Sequence, residues 1–250
     1  MSTYFISDLH LLESRPQATQ AFTDFLNRIR DHAEALYILG DLFEVWVGDD
    51  DDAPFASSIR ERLLQQSQSH PVAFLRGNRD FLIGERFSAE TGVRVLDDET
   101  VIDLHGERTL LLHGDTLCTD DVGYQAFRRT CRNPAWQHQL LAQPLAARRA
   151  FAAQVRAASA DAMSGKSEAI MDANLDAVRE VMARHACTRL IHGHTHRPAV
   201  HEAQRAQVGG LRIVLGDWYE QGSVLVVDHN GADLQALRFT VSTSDSGSAG

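Results

Sequence analysis

The strongest constraint in this chain is a series of five polar strings, each placed just after a short apolar run. Thr3 to Ser7 runs into Asp8-Leu9-His10, and Ala35 to Leu39 into Gly40-Asp41. Val72 to Leu75 leads to Gly77-Asn78-Arg79-Asp80, and Leu110 to Leu112 to His113-Gly114-Asp115. Arg189 to Ile191 leads to His192-Gly193-His194-Thr195-His196. Apolar runs of this length, bounded by Gly and polar residues, read as buried strands. Between them Phe22, Phe25, Leu26 and Ile29 mark one helix face, and Ile59, Leu63 and Leu64 another. Strands alternating with helices argue for an α/β sheet, whose sites form outside the carboxyl ends of the strands. Strand ends carrying Asp, Asn or His therefore converge on one place.

The residue types say what that place holds. Carboxylate, amide oxygen and imidazole without thiolate suit divalent ions such as Mn, Mg, Fe or Zn. Alternate strand residues point the same way, so Asp8 and His10 reach one point, whereas His192 has the opposite parity to its motif and reads as structural. Glycines beside Asp41, Asn78, His113 and His194 allow sharp turns. Two ions about 4 Å apart clamp the attacking and leaving oxygens of phosphoryl transfer. Each string alone is weak, since a single strand-end Asp is usually a turn or cap. The ordered set is a candidate two-metal centre of Asp8, His10, Asp41, Asn78, His113, His194 and His196.

Composition narrows the partners. The net charge of −10 argues against non-specific nucleic-acid binding, and 44% hydrophobic with 23% charged residues is ordinary for a globular chain. Cys118, Cys131 and Cys187 form no CxxC pair, so neither a disulfide framework nor a zinc ribbon is expected. The N-terminus lacks a signal-peptide pattern, and no run of about 18 apolar residues suggests a membrane span. No obligate protein partner is evident.

Val101 to Leu104 and Thr109 to Leu112 read as a hairpin turning at His105-Gly106-Glu107. Ile213 to Leu215, Ser223 to Val227 and Leu234 to Phe239 read as late antiparallel strands. Residues from about 120 to 168 hold no strand signal and read as a helical insertion, followed by a helix from Ile170 to His185. The expected division is a core of residues 1–119 and 170–240, a helical cap of 120–169, and a Ser- and Gly-rich disordered tail of 241–250. The acidic run Asp49 to Asp52 reads mostly as a solvated loop.

The sequence resembles the calcineurin-like metallophosphoesterases and, among them, the UDP-2,3-diacylglucosamine diphosphatase family. The resemblance covers most of residues 1–240. It rests on the motifs above and on Leu42-Phe-Glu-Val-Trp-Val-Gly-Asp-Asp, Phe81-Leu-Ile-Gly, Ile170-Met-Asp-Ala-Asn and Asp217-Trp-Tyr-Glu-Gln-Gly-Ser. It implies an α/β protein, a β-sandwich flanked by helices, with a helical cap. It implies two divalent ions, Mn most of all, one on Asp8, His10, Asp41 and His196, the other on Asp41, Asn78, His113 and His194. Substrate contacts would come from Asn78, Arg79, Asp121, Tyr124, Ser159, Lys166 and His194. A position that the family fills with a hydrogen-bonding side chain falls at Met163, whose thioether is only a weak acceptor. The implied reaction is hydrolysis of UDP-2,3-diacylglucosamine to UMP and 2,3-diacylglucosamine 1-phosphate in lipid A biosynthesis, by a metal-bound hydroxide attacking the α-phosphorus. The partners would then be a lipid-linked nucleotide sugar and, peripherally, the cytoplasmic side of the inner membrane.

The insertion adds two features of its own. Arg128, Arg129, Arg132, Arg148, Arg149, Arg156 and Lys166, the only lysine of the chain, make it basic. A solvated helix face and attraction to phosphates of substrate or lipid both fit that charge. Trp136, Leu140, Leu141 and Leu145 form a stripe that packs on the core or lines a groove for acyl chains at a membrane surface. Two other readings stay open: a soluble nucleotide or phosphodiester as substrate, and a non-catalytic scaffold on this fold.

Overall fold

Alternation along the strands divides the apolar residues between three packed layers. Phe5 and Ile6 are both fully buried, yet they belong to different clusters because successive strand residues face opposite sides. Leu110 and Leu111 divide in the same way, as do Leu190 and Ile191. Every central strand is therefore covered on both faces, which a two-sheet sandwich with outer helices achieves. In a computed structural model of the chain, residues 1–164, 170 and 172–239 are described, those of 160–164 and 203 by backbone alone. Lys166 and the expected tail of 241–250 lie outside the described residues, as does the side chain of Met163.

The chain runs β1 (Ser2–Ile6), α1 (Pro16–Ile29), β2 (Ala33–Ile38), α2 (Pro54–Ser67), β3 (Val72–Phe74), α3 (Glu85–Thr91), β4 (Arg94–Val95), β5 (Thr100–Leu104) and β6 (Glu107–Leu111). It continues with α4 (Val122–Cys131), α5 (Pro134–Leu141), α6 (Leu145–Ser164), α7 (Leu175–Arg184), β7 (Arg189–His192), β8 (Ala199–Val200), α8 (Arg205–Val208), β9 (Leu211–Val214), β10 (Gln221–Asp228) and β11 (Gly231–Arg238). One sheet has the order β11-β10-β1-β2-β3-β4 and the other β5-β6-β7-β9-β8. Phe5, Leu39, Leu75, Leu111, Ile191 and Ile213 pack between the sheets. α1 lays Phe22, Phe25, Leu26 and Ile29 on the outer face of the first sheet, and α7 covers the second with Val178, Val181 and Met182.

Local chemistry sets the boundaries. α1, α2 and α5 begin on prolines, whose fixed φ suits the first helical turn. The hairpin of β5 and β6 turns on His105 and Gly106, both at positive φ, as a two-residue turn between twisted strands requires. Two expectations need correction. β9 lies apart from the other late strands, because it joins the second sheet, antiparallel to β8 on one side but parallel to β7 on the other. The helix expected from Ile170 begins at Leu175, where the Asn174 side chain accepts from the N–H groups of Asp176 and Ala177.

α4, α5 and α6 lie between β6 and β7, two neighbouring strands of one sheet. Their arginines are held by carboxylates. Arg128 donates to Asp115 and Asp98, and Arg132 to Asp98 and the carbonyls of Arg76 and Gly77. Arg148 is buried, bonding Asp50 and the carbonyls of Val47 and Gln143. Arg149 pairs with Asp51 at 2.6 Å and Arg156 with Glu44 at 3.1 Å. The acidic run is thus only in part a solvated loop: Asp50 and Asp52 are exposed, yet all four carboxylates hold partners. Asp49 accepts from the Trp46 indole and from the N–H groups of Gly84 and Phe87, at the start of α3. Asp50 and Asp51 receive α6, and Asp52 takes Arg60 and Arg86. Substituting Arg148→Ala leaves two carbonyls without donors, and urea denaturation is expected to show a loss of about 1–3 kcal/mol. Arg149→Ala, at an exposed pair, stays within about 0.5 kcal/mol. Equal losses for the two variants would contradict this account.

Candidate metal centre

The strand-end loops lie against one another through their own backbone. Asp8 N–H donates to the Gly40 carbonyl at 3.1 Å and His10 N–H to the Asp41 carbonyl at 2.9 Å, so the loops after β1 and β2 run side by side. Asp8, His10, Asp41, His194 and His196 all have φ between 49° and 66°, the left-handed region. Such residues cost about 1–3 kcal/mol each unless the surroundings enforce them, and they gather where function needs them. Buried Asp80 is one enforcing group, its carboxylate accepting from the N–H groups of Gly77, Asp41, Leu42 and Phe43. Burial and the neighbouring Asp41 charge push its pKa up to about 7, against the pull of those donors. Two glycines allow the close approach. A Cβ on Gly77 would meet Asp41 Oδ1 at 2.0 Å, and one on Gly193 would meet Asp8 Oδ2 at 2.2 Å.

The seven side chains singled out by the sequence meet at the seam of the two sheets. Ligand atoms of Asp8, His10 and His196 lie within 4.8 Å of one another, and so do those of Asp8, Asp41 and His113. Asp41 spans both groups, with Oδ2 3.9 Å from His10 Nε2 and Oδ1 3.8 Å from His113 Nε2. Asn78 Oδ1 lies 3.0 Å from His113 Nε2 and 2.9 Å from His194 Nδ1. The far ring nitrogens face oxygens of the surrounding chain. His113 Nδ1 donates to the Leu39 carbonyl at 2.8 Å, His10 Nδ1 lies 3.0 Å from Glu44, and His196 Nδ1 lies 3.3 Å from Asp217. Imidazoles anchored in this way present Nε2 lone pairs inward, as metal-binding histidines do.

Inward-facing acceptors need positive charge between them. Asp8 Oδ1 is fully buried with no hydrogen-bond partner, and His196 Nε2 stands 3.4 Å from it. In its neutral form, with Nδ1 donating to Leu39, His113 turns its Nε2 lone pair toward the Asn78 amide oxygen. Burial opposes a charged His113, yet Asp41, Asp8 and Asp115 raise its pKa above the usual value. Burial and His113 push His194 down to about 4, leaving it neutral and able to ligate. Burial would raise the Asp8 pKa, but His196, His113 and His10 hold it well below the carboxylate range. Two carboxylates, four imidazoles and an amide, with a buried oxygen unsatisfied, are a donor set that fits divalent cations.

The other expected site residues divide by position. Arg79 donates its backbone N–H to Asp41 Oδ1 at 2.8 Å, while its side-chain Nε is buried and has no partner. Tyr124 lays its ring 5.7 Å from that of His194 and donates its hydroxyl to Asp115. Asp121 caps α4, accepting from Tyr124 N–H, and Ser159 is half-buried on α6. His192 is buried beside the centre, its Nδ1 donating to the Gly193 carbonyl. Glu44, Asp217 and Tyr219, whose ring stacks on His10, had no role assigned from the sequence. The only signal for them was their place inside the long strings at Leu42 and Asp217.

An apolar groove opens beside Asn78 and Arg79. Val45 and Val47 line one wall with Phe81, and Phe127, Leu140 and Phe151 of the helical segment line the other. Trp136 backs it, in contact with Phe81 and Phe151.

Comparison with known proteins places this geometry. The calcineurin-like phosphoesterase profile matches residues 1–198. The chain is similar to a UDP-2,3-diacylglucosamine hydrolase of Xanthomonas axonopodis pv. citri, 52% identical over 95% of this chain and 99% of the relative. A protein of the same name from Cellvibrio japonicus is 52% identical over 94% of this chain and 98% of its own length. Among solved structures an archaeal phosphodiesterase covers 95% of this chain and 100% of its own, at 12% identity and a TM-score of 0.50, a likeness of fold. Substituting Gly193→Ala drives a methyl into the Asp8 carboxylate and is expected to weaken divalent-metal binding at least about tenfold. Isothermal titration with Mn(II) checks this, and an unchanged affinity would refute the close-approach role.

Proposed function

The chain belongs to the calcineurin-like phosphoesterase family, and on that premise we propose that it hydrolyses the pyrophosphate bond of UDP-2,3-diacylglucosamine. The products are UMP and 2,3-diacylglucosamine 1-phosphate, in lipid A biosynthesis. The observation that carries the reading is the apolar groove directly beside Asn78 and Arg79. A nucleotide sugar with two acyl chains needs such a groove next to its phosphates, whereas a soluble phosphodiester does not.

We assign two divalent ions, manganese by preference, to the centre. Asp8, His10, Asp41 and His196 hold one, and Asp41, Asn78, His113 and His194 the other. When bound, such ions polarise phosphoryl oxygens and lower the pKa of a coordinated water. The chain supplies the rest. Asp41 fixes the spacing because its two oxygens face different imidazoles. The Arg79 guanidinium, whose buried Nε has no hydrogen-bond partner, neutralises charge building on the phosphate. The leaving group is a phosphate monoester, already a weak base, so no dedicated acid is required. Asn78, Arg79, Asp121, Tyr124, Ser159 and His194 are the described candidates for substrate contact, with Met163 and Lys166 assigned to the same role from the sequence alone.

Residues 120–169 act as a cap on a core of 1–119 and 170–240, and the cap supplies one wall of the groove. Among the described residues no helix is long and apolar enough to cross a membrane. We place the protein peripherally on the cytoplasmic side of the inner membrane, where a diacylated substrate resides. UMP release from the diacylated nucleotide sugar, followed across Mn, Mg, Zn and Co, tests the assignment, with bis-p-nitrophenyl phosphate as a soluble control. Chelation is expected to abolish release and added metal to restore it. Asp41→Ala should lose at least about a thousandfold in rate, since a ligand shared by both ions is removed. Phe151→Asp should raise KM for the diacyl substrate about tenfold or more by placing a charge in the groove, leaving the soluble control unchanged. Activity on the soluble control alone would overturn the lipid assignment.

A further inference from the structure

Glu44 is an acid that a solvated loop does not explain. Only 7% of it is exposed, at the third residue beyond Asp41. Its two oxygens are divided between two elements. Oε2 lies 3.0 Å from His10 Nδ1 inside the metal centre, and Oε1 lies 3.1 Å from Arg156 Nε on α6. The ring of His10 therefore reaches the helical segment through a single carboxylate. Arg156 and Glu44 also line the apolar groove, so the contact stands where the acyl wall meets the metal ligands. The same helix is fixed to the same loop farther along, through Arg148 to Asp50 and Arg149 to Asp51.

We infer that Arg156 and Glu44 are positioning residues that hold His10 in its metal-binding orientation, so that docking of α6 tightens one of the two metal sites. The inference rests on the two-ion reading above. The physical basis is the effect of an outer carboxylate on a ligating imidazole. It fixes which nitrogen carries the proton, turns the other lone pair inward and raises its basicity. A carboxylate so little exposed keeps one orientation only while its other oxygen is also engaged. Arg156 supplies that second bond from outside the metal centre. Its side chain is 42% exposed, so the bond is open to competition from whatever enters the groove. Coupling of this kind is reciprocal, so metal at His10 also favours the docked helix.

The test is Mn(II) binding to the full chain, read by titration calorimetry and by the electron paramagnetic resonance of free Mn(II), apart from any activity. Wild type is expected to take up two ions. Glu44→Gln should weaken one of them about tenfold or more, the size seen when an outer-shell partner is removed. Arg156→Ala should weaken the same ion about three- to tenfold and leave the other unchanged, with Arg156→Lys recovering part of the loss. Arg156→Ala made on the Glu44→Gln background should have no further effect, because the relay is already cut. Arg149→Ala, a paired arginine on the same helix away from Glu44, should bind both ions as wild type does. The inference is overturned if Arg156→Ala binds both ions normally, if Arg149→Ala matches its loss, or if the two losses simply add. A wild-type chain binding no Mn(II), indistinguishable from Asp41→Ala, would instead overturn the two-ion reading and the relay with it.

Discussion

The carboxylate of Asp8 is buried at the seam between two sheets, and the rest of the site is arranged around its two oxygens. Oδ2 accepts from His194 N–H at 2.8 Å, binding the loop after β1 to the loop after β7 across the sandwich. Oδ1 has no hydrogen-bond partner and faces His10 and His196. A buried carboxylate oxygen in that state costs several kcal/mol unless a cation reaches it. The left-handed backbone of Asp8, His10, Asp41, His194 and His196 is the conformational cost of turning so many strand ends inward at one point. The sandwich tolerates it because the loops brace each other and Asp80 collects four backbone donors behind Asp41.

The legible part of the sequence was the part in which each residue carries its own signal. An apolar run ending in Asp-x-His or Gly-Asp-Leu announces both a strand and a ligand, so β1, β2, β3, β6 and β7 and all seven candidate ligands could be read together. β9 pairs both ways, parallel to β7 and antiparallel to β8, and a strand buried at every residue marks neither partner in sequence. Asp49 to Asp52 was legible only in part, because its partners are distant in sequence. A run of carboxylates looks solvated until the arginines that meet it are known, and Arg148 and Arg149 lie 98 residues away in sequence. Glu44 and Asp217 were missed because an anchoring carboxylate has no spacing rule of its own, only a partner in space.

Charge is therefore distributed by partnership rather than by net balance. The chain is acidic overall, yet its helical segment is basic, and nearly every arginine of that segment meets a carboxylate of the core. Arginine suits this because its planar fork makes several directed bonds at once, as Arg148 does to Asp50 and two carbonyls. For Arg128, Arg132 and Arg148, whose donors are bound by carboxylates and carbonyls, attraction to phosphates of substrate or lipid loses force accordingly. The apolar groove, rather than a basic face, then becomes the feature that distinguishes this segment.

The stretch from Asp41 to Asp52 concentrates these constraints in one loop. Asp41 faces both halves of the metal centre, while Leu42 and Phe43 enter the core. Glu44 Oε2 lies 3.0 Å from His10 Nδ1, and Val45 to Val47 wall the groove. Trp46 bonds Asp49, which starts α3, and Asp50 and Asp51 receive α6. Nearly every side chain of the loop thus answers to a different neighbour, which is why so long a string is specific where Gly-Asp alone is not. It also follows that the groove, the helical segment and the candidate metal ligands cannot vary independently. A change of groove shape made at Val45 or Val47 acts on backbone whose adjoining residues orient His10 and seat α6. Changes made at Phe127, Leu140 or Phe151, on the opposite wall, are free of that tie, so variation in the apolar groove has its least constrained positions on the helical segment.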